Sequence, residues 1–257
     1  MLNIFTIALC ERENLEQQLC VLRELTIPWR WCIVTGYARP VKDTSWCKNI
    51  GAPDDNDNTI EFAEGAARFD KRIVAIAQTL EWGGKTQMVN AALDALDDHG
   101  EMPSVLMQLD ADEFWAPWQI ESIVSTFQKH GDIDVMRFRS RFWVGENRVA
   151  VGYDTYGNMP HDWFRAWRWN NSARFITHEP PVLSGCKTMA VPEALLCLGL
   201  HFEHRAYCSE ERVLFKEKYY GYSDLVKNWK ELNEKRGPVL VPAGVFGNRM
   251  PFLTVEA

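Results

Sequence analysis

Residues 104–110, SVLMQLD, are almost continuously apolar and then end abruptly in carboxylates. A short unbroken apolar run of this kind suits a strand buried on both faces, the habit of parallel sheets covered by helices. It does not stand alone. Residues 2–9 and the run Trp31 to Thr35, which ends at Gly36, have the same texture, and so does RIVAIA at 72–77. Between them lie helical spacings: Leu15, Leu19 and Leu22 within 14–25, and Val89, Ala92, Leu93 and Leu96 within 86–97. Strands alternating with amphipathic helices predict βαβ winding around a mostly parallel, twisted central sheet, an α/β fold. In such sheets ligands collect at the carboxyl ends of the strands, so the end of 104–110 is the place to look for chemistry.

The second half reads differently. A helix is expected after Pro117 (Ile120, Ile123, Val124, Phe127), then a long strand over 133–144 and a mixture of short strands over 145–195. A strand is expected at 195–204, LLCLGLHFEH, followed by two helices that start after Ser209 and after Ser223, serine being a favoured N-cap. The stretch 40–60, containing GAPDDNDN, reads as loop. No repeat or linker divides the chain, so a single domain over 1–257 is expected. The change of texture near residue 115 divides it into the halves 1–115 and 116–257.

Composition removes several classes. With 46% hydrophobic residues the chain is not disordered, and no apolar run approaches the length of a membrane helix. LNIFTIAL is interrupted by Glu11, Arg12 and Glu13, which does not suit a secretory leader. A net charge of −7 argues against nonspecific binding to nucleic acid. The seven cysteines are scattered without a CxxC, which predicts neither a zinc cluster nor a disulfide framework and suits a reducing cytoplasm.

The sharpest chemical signal is LDADEFW, 109–115. Asp110 and Asp112 flank the small Ala111 where the strand ends, and under a two-residue period both face one side. Paired carboxylates there suit Mg²⁺ or Mn²⁺ completed by phosphate oxygens. His201 and His204 lie near the end of a later strand, on opposite faces, so one of them is expected as a third ligand. His178-Glu179-Pro180-Pro181 bars a helix and projects Glu179 from a stiff turn, a position for a general base, with Asp162 the competing carboxylate. Seven of the 11 tryptophans fall between Trp82 and Trp169, and rings of this kind cover sugar faces as well as filling cores.

These strings, in this order, resemble a family-2-like glycosyltransferase of the GT-A fold, of a bacterial and phage-type subgroup. The matching pieces are FTIALCEREN (5–14), WCIVTG (31–36), KDTSWC (42–47), WGGKTQMVNAAL (82–93), VLMQLDADEFW (105–115), WFRAWRW (163–169), RFITHEPPVL (174–183) and HFEHRAYCSEERVLFKEKYYGY (201–222). The resemblance implies that Asp110 and Asp112 form the DxD pair for the metal and the donor's diphosphate and ribose. It favours His204 over His201 as the late metal or diphosphate residue and makes Lys216 the cation on the leaving diphosphate. The turn from Leu9 through Glu11 to Arg12 would border the base, Lys85, Asn90 and Ala111 would line the donor site, and Glu179 would stand where inverting members keep their base. Trp163, Arg165 and Arg168 are assigned to the acceptor side.

Two departures are visible: the chain reads Val34-Thr35-Gly36 where many members carry a base-contacting aspartate, and the usual Glu-Asp base motif is missing. The expected activity is metal-dependent, inverting transfer of a sugar from a nucleotide diphosphate sugar to a saccharide or other hydroxyl acceptor. A nucleotidyltransferase or phosphohydrolase and a non-catalytic nucleotide-sugar binding module are the rivals. A modified base of phage DNA is the alternative acceptor, with Arg137, Arg139, Arg141, Arg165 and Arg168 as its basic face.

Overall fold

The computed structural model describes residues 1–39, 57–78, 81–97, 104–152, 162–170, 172–247 and 250–257. The KDTSWC segment, Cys47 and most of the expected 40–60 loop lie outside them. The winding begins as the apolar runs predict: β1 (Leu2–Ala8), α1 (Arg12–Arg23), β2 (Trp29–Thr35), α2 (Thr59–Phe69), β3 (Ile73–Ala77), α3 (Lys85–Asp97) and β4 (Ser104–Gln108). Helix α2 takes over the end of the expected loop. It buries Thr59 and Ala63, and Phe62, Ala66 and Ala67 pack against the core beside them.

The chain continues through β5 (Glu113–Phe114), α4 (Pro117–Lys129), β6 (Val135–Gly145), β7 (Arg148–Gly152), β8 (Asp162–Trp169), β9 (Phe175–His178), β10 (Pro181–Leu183) and β11 (Met189–Ala190). It closes with α5 (Pro192–Cys197), β12 (His201–His204), α6 (Glu210–Tyr220), α7 (Leu225–Glu234), β13 (Val239–Val241) and β14 (Phe252–Glu256). The expected strand over 195–204 is therefore two elements. Pro192 opens a helix that buries Leu195, and Gly199, at φ +73°, ends it before β12 begins.

The sheet is mixed. Strands β3, β2, β1 and β4 lie side by side and parallel, and β8, β6, β7, β14 and β13 extend the same sheet antiparallel. Because β2 and β4 flank β1 on opposite sides, the strand order reverses at β1/β4, and the crevice outside their carboxyl ends is the natural ligand site. Two apolar layers cover this sheet. Leu15, Leu19, Ile120, Ile123 and Phe127 belong to one; Val89, Leu93, Trp167 and Trp169 belong to the other. A third cluster, with Tyr207, Val213, Trp229 and Phe252, holds α6 and α7 to the C-terminal strands. Among the described residues no helix is long and apolar enough to cross a membrane, and the six described cysteines are free thiols.

Candidate active site

A cleft opens at the β1/β4 switch point. It is lined by Leu9 and Glu11 after β1, Asp110 to Asp112 after β4, Lys85, Glu179, His204 and Lys216. The carboxylates do not sit on strand geometry. Strand β4 ends at Gln108, and the backbone turns, with Glu113 N–H donating to the Asp110 carbonyl at 2.9 Å. The expected two-residue alternation therefore does not orient Asp110 and Asp112; the turn does. That turn is pinned from below by Gln18, a polar residue on the apolar face of α1. Its Nε2 donates to the carbonyls of Asp110, Ala111 and Glu113 at 2.8, 3.3 and 3.1 Å.

The two aspartates meet different partners. Asp112 gathers two cations and an imidazole: Lys216 Nζ at 3.2 Å and Arg212 Nη2 at 3.6 Å on Oδ2, and His204 Nε2 at 3.4 Å from Oδ1. Burial opposes ionisation, yet Lys216, His204 and Arg212 together hold this carboxyl well below the usual range. Asp110 accepts Gln108 Nε2 on Oδ1 and Arg165 Nη2 on Oδ2, both at 2.8 Å. Its carboxyl also lies low, because Arg165, His178 and Gln108 outweigh the burial.

Long-range pairing assembles this set. Antiparallel β12 and β5 place His204 opposite Glu113, and Arg205 N–H donates to the Asp112 carbonyl at 2.8 Å. His201, at the other end of β12, does not line the cleft. Helix α6 starts at Ser209, whose hydroxyl accepts Arg212 N–H, and stops at Gly221 in the left-handed region. Residues Arg212, Phe215, Lys216, Tyr219 and Tyr220 recur at i, i+3 and i+4, so one helix face presents both cations and aromatics. Arg212 also grips Glu11 through two 2.6 Å bonds, tying α6 to the turn after β1.

The HEPP residues form the tip of the hairpin between β9 and β10. Asn90 of α3 exchanges two bonds with the backbone of Phe175, which docks that hairpin beside Lys85. Lys85 Nζ donates to Glu179 Oε1 at the cleft edge. Burial and Lys85 keep the adjacent His178 below its ordinary pKa.

Several expected residues lie elsewhere. Asn90 acts on the hairpin and does not line the cleft; Arg12 faces solvent and pairs with Glu16. Asp162, at the start of β8, pairs with Arg139 outside the cleft, and burial raises its carboxyl. Arg168 turns away altogether, donating to the carbonyls of Ile133, Phe127 and His130 at the end of α4. Arg165 borders the cleft but is 2% exposed and bound to carboxylates, so it presents no open acceptor surface. The expected basic face is likewise compensated: Arg139 meets Asp162 and Glu193, Arg141 meets Glu203, and Arg137 donates to the Asp162 carbonyl. Trp163 does line the cleft. Gly36, also on its wall, has φ +118°, and a Cβ there would fall 2.8 Å from the Gln78 carbonyl oxygen. That crowding leaves no room for a side chain at the end of β2.

The residues that sequence reasoning passed over are Gln18, Glu113 and Arg212. Gln18 carried a signal, a lone amide among Leu15, Leu19 and Leu22. Glu113 carried none of its own; Arg212 shares a helix face with Phe215 and Lys216, a spacing that could have pointed to it.

An α/β fold with a mixed sheet flanked by helices, carrying a carboxylate and cation cleft at its switch point, defines the class. The sequence profile of glycosyl transferase family 2 matches residues 53–190, more than half of the chain, and the protein belongs to that family. Among solved structures it is similar to S. aureus TarS 1-349 in complex with UDP-GlcNAc (13% identity, TM-score 0.45, 74% of this chain and 58% of that one). It is also similar to the mannosyltransferase PcManGT from Pyrobaculum calidifontis in complex with GDP-Man and Mn²⁺ (12% identity, TM-score 0.47, 91% of this chain and 65% of that one). A further S. aureus TarS structure matches at 13% identity and TM-score 0.38 over 56% of this chain. The chain spans 22%, 58% and 65% of the lengths of these three structures. No curated protein sequence matches it.

Proposed function

We propose that the protein transfers a sugar from a nucleoside diphosphate donor to an acceptor hydroxyl, with inversion by single displacement. The observation that carries this reading is the convergence of Lys216, Arg212 and His204 on Asp112 at the β1/β4 crevice. A diphosphate entering the cleft offers Lys216 a second anion, and the ammonium stabilises charge that grows as the sugar departs. Leu9 and Glu11 border the nucleoside, and Trp163 supplies an apolar face for a sugar ring.

Mg²⁺ or Mn²⁺ is part of the proposal. Asp112 Oδ1 and His204 Nε2 are 3.4 Å apart, close to the edge of about 3 Å that two ligands of one ion share at bond lengths near 2.1 Å. Among the described residues no three His, Cys, Asp or Glu side chains gather into a ready-made ion site. The ion would therefore rest on Asp112 and His204 and on the donor's own oxygens, the sparse protein ligation usual for Mg²⁺ with phosphates. Such an ion would neutralise charge on the leaving diphosphate. Asp110 lines the same cleft and is committed to Arg165 and Gln108.

Glu179 is the proposed acceptor of the hydroxyl proton. It lines the cleft, and Lys85 fixes its carboxylate; Asp162 is the second candidate. A saccharide or other small hydroxyl compound is the proposed acceptor, because the arginines that a nucleic acid would need are paired with carboxylates or carbonyls.

The test is thermal unfolding with Mn²⁺ against a panel of nucleoside diphosphates and their sugars, followed by product analysis. A ligand at 100 times its Kd adds about 2.7 kcal/mol of stability. The expected result is a metal-dependent shift with one nucleotide, abolished in Asp112→Ala, and release of intact nucleoside diphosphate on turnover. Release of pyrophosphate or orthophosphate would identify a nucleotidyltransferase or phosphohydrolase instead, and no shift with any nucleotide would refute the donor site.

A further inference from the structure

Arg165 is a buried charge bound on several sides. It stands in the middle of β8 and its side chain is 3% exposed. Its Nε donates to both carboxylate oxygens of Glu113 at 2.9 and 2.8 Å, and Nη2 donates to Glu113 Oε1 at 2.7 Å and to Asp110 Oδ2 at 2.8 Å. The guanidinium also lies 5.1 Å from the Trp163 ring centroid and 5.9 Å from that of Phe202. Glu113 is itself 0% exposed.

Burying two charges is costly, and a well-packed apolar pair is commonly as stable. An interior pair that reaches out to a third group at a ligand cleft is therefore better explained by what it holds than by stability. Four bonds to two carboxylates fix the plane of the guanidinium. The Nη2 that serves Asp110 can point in one direction only, because Nε and Nη2 are both tied to Glu113. Gln108 takes the other oxygen of Asp110. The Asp110 carboxylate is thus held through both oxygens while it lines the cleft.

We propose that Arg165, anchored by Glu113, is a positioning residue that fixes the Asp110 carboxylate for the nucleotide donor. The proposal rests on the nucleotide-sugar reading above. It replaces an acceptor role for Arg165 with an indirect donor role, and it gives Glu113 a function. Lysine cannot do the same work: one ammonium lacks the planar fork that spans both carboxylates.

The experiment measures Kd for the nucleoside diphosphate with Mn²⁺ in wild type, Arg165→Lys, Asp110→Asn and their combination. Partners that orient a ligand-binding group commonly account for 10- to 100-fold in affinity. Arg165→Lys is expected to weaken nucleotide binding by about that factor. In the Asp110→Asn background it is expected to add less than about twofold, because residues acting through one group are non-additive. A purely structural arginine would give losses that multiply, and wild-type affinity in Arg165→Lys would overturn the proposal outright. Since the lysine variant leaves Glu113 with an awkward partner, Glu113→Leu/Arg165→Met removes both charges together. This pair is expected to fold and still to bind about 10- to 100-fold more weakly. If it folds and binds like wild type, the brace has no role in the donor site. If no nucleotide binds wild type, the functional reading falls and takes the brace with it; binding by wild type and all variants alike refutes the brace alone.

Discussion

Asp112→Asn, studied without metal or nucleotide, tests the site as a charged structure before any activity is assayed. The aspartate side chain is 13% exposed and faces Lys216 at 3.2 Å and Arg212 at 3.6 Å. At an effective dielectric near 20, each contact is about 5 kcal/mol of gross attraction. Desolvation consumes much of that, and Arg212 keeps Glu11 when Asp112 is lost. Removing one member of a fully buried pair costs roughly 3–5 kcal/mol; with residual exposure and an isosteric amide, about 2–4 kcal/mol is expected. For a chain of this size that is a fall of roughly 5–15 °C in Tm. The sign with pH follows from the depressed carboxyl. Its contribution is complete above the unfolded value of about 3.9 and disappears as pH falls through the lower folded value. Urea denaturation in chelator at pH 7 and near pH 3 should therefore show a large gap between wild type and variant at pH 7 that narrows in acid. In Asp112→Asn/Lys216→Met part of the loss should return, because the stranded ammonium is gone. An asparagine variant as stable as wild type at pH 7, with no narrowing in acid, would mean that these cations do not engage Asp112 in solution.

Two further outcomes are expected. Glu179→Gln should lower kcat by about 10²–10⁴ with nucleotide Kd unchanged, as for a lost general base, whereas Asp162→Asn, outside the cleft, should stay within about threefold; initial rates at saturating donor separate the two, and the reverse pattern moves the role to Asp162. Gln18→Leu leaves three carbonyls of the Asp110–Glu113 turn without their amide donor, so a loss of roughly 1–3 kcal/mol in stability and a raised donor KM are expected; unchanged urea curves and KM would remove Gln18 from the site.

Much of this was readable from the chain alone. Apolar runs at 2–9, 31–35, 72–77 and 104–110 determined the parallel strands, because a strand covered on both faces has no polar position to offer. The leucine spacing of 15, 19 and 22 determined α1, and Ser209 marked the start of α6, where its hydroxyl accepts the Arg212 N–H. The place of Asp110 and Asp112, just beyond a buried strand, followed from the same logic. These are local consequences of period and capping.

The site itself was decided in three dimensions. The order of residues does not say that β12 pairs with β5 and β6, yet those registers bring His204, the histidine the resemblance favours, to Asp112. Arg165 and Arg168 sit three residues apart in one aromatic string, but β8 turns the first toward Glu113 and Asp110 and the second toward the end of α4. Glu179 was the expected base and Asp162 its competitor; the β9–β10 hairpin, tied to Asn90, brings Glu179 to the cleft, while Asp162 pairs with Arg139 outside it. Arg212 meets Glu11 across 201 positions. Secondary structure answers to interactions a few residues apart, which a sequence displays. A charged side chain answers to whichever opposite charge the packed elements bring within about 4 Å, and only the folded sheet supplies that distance.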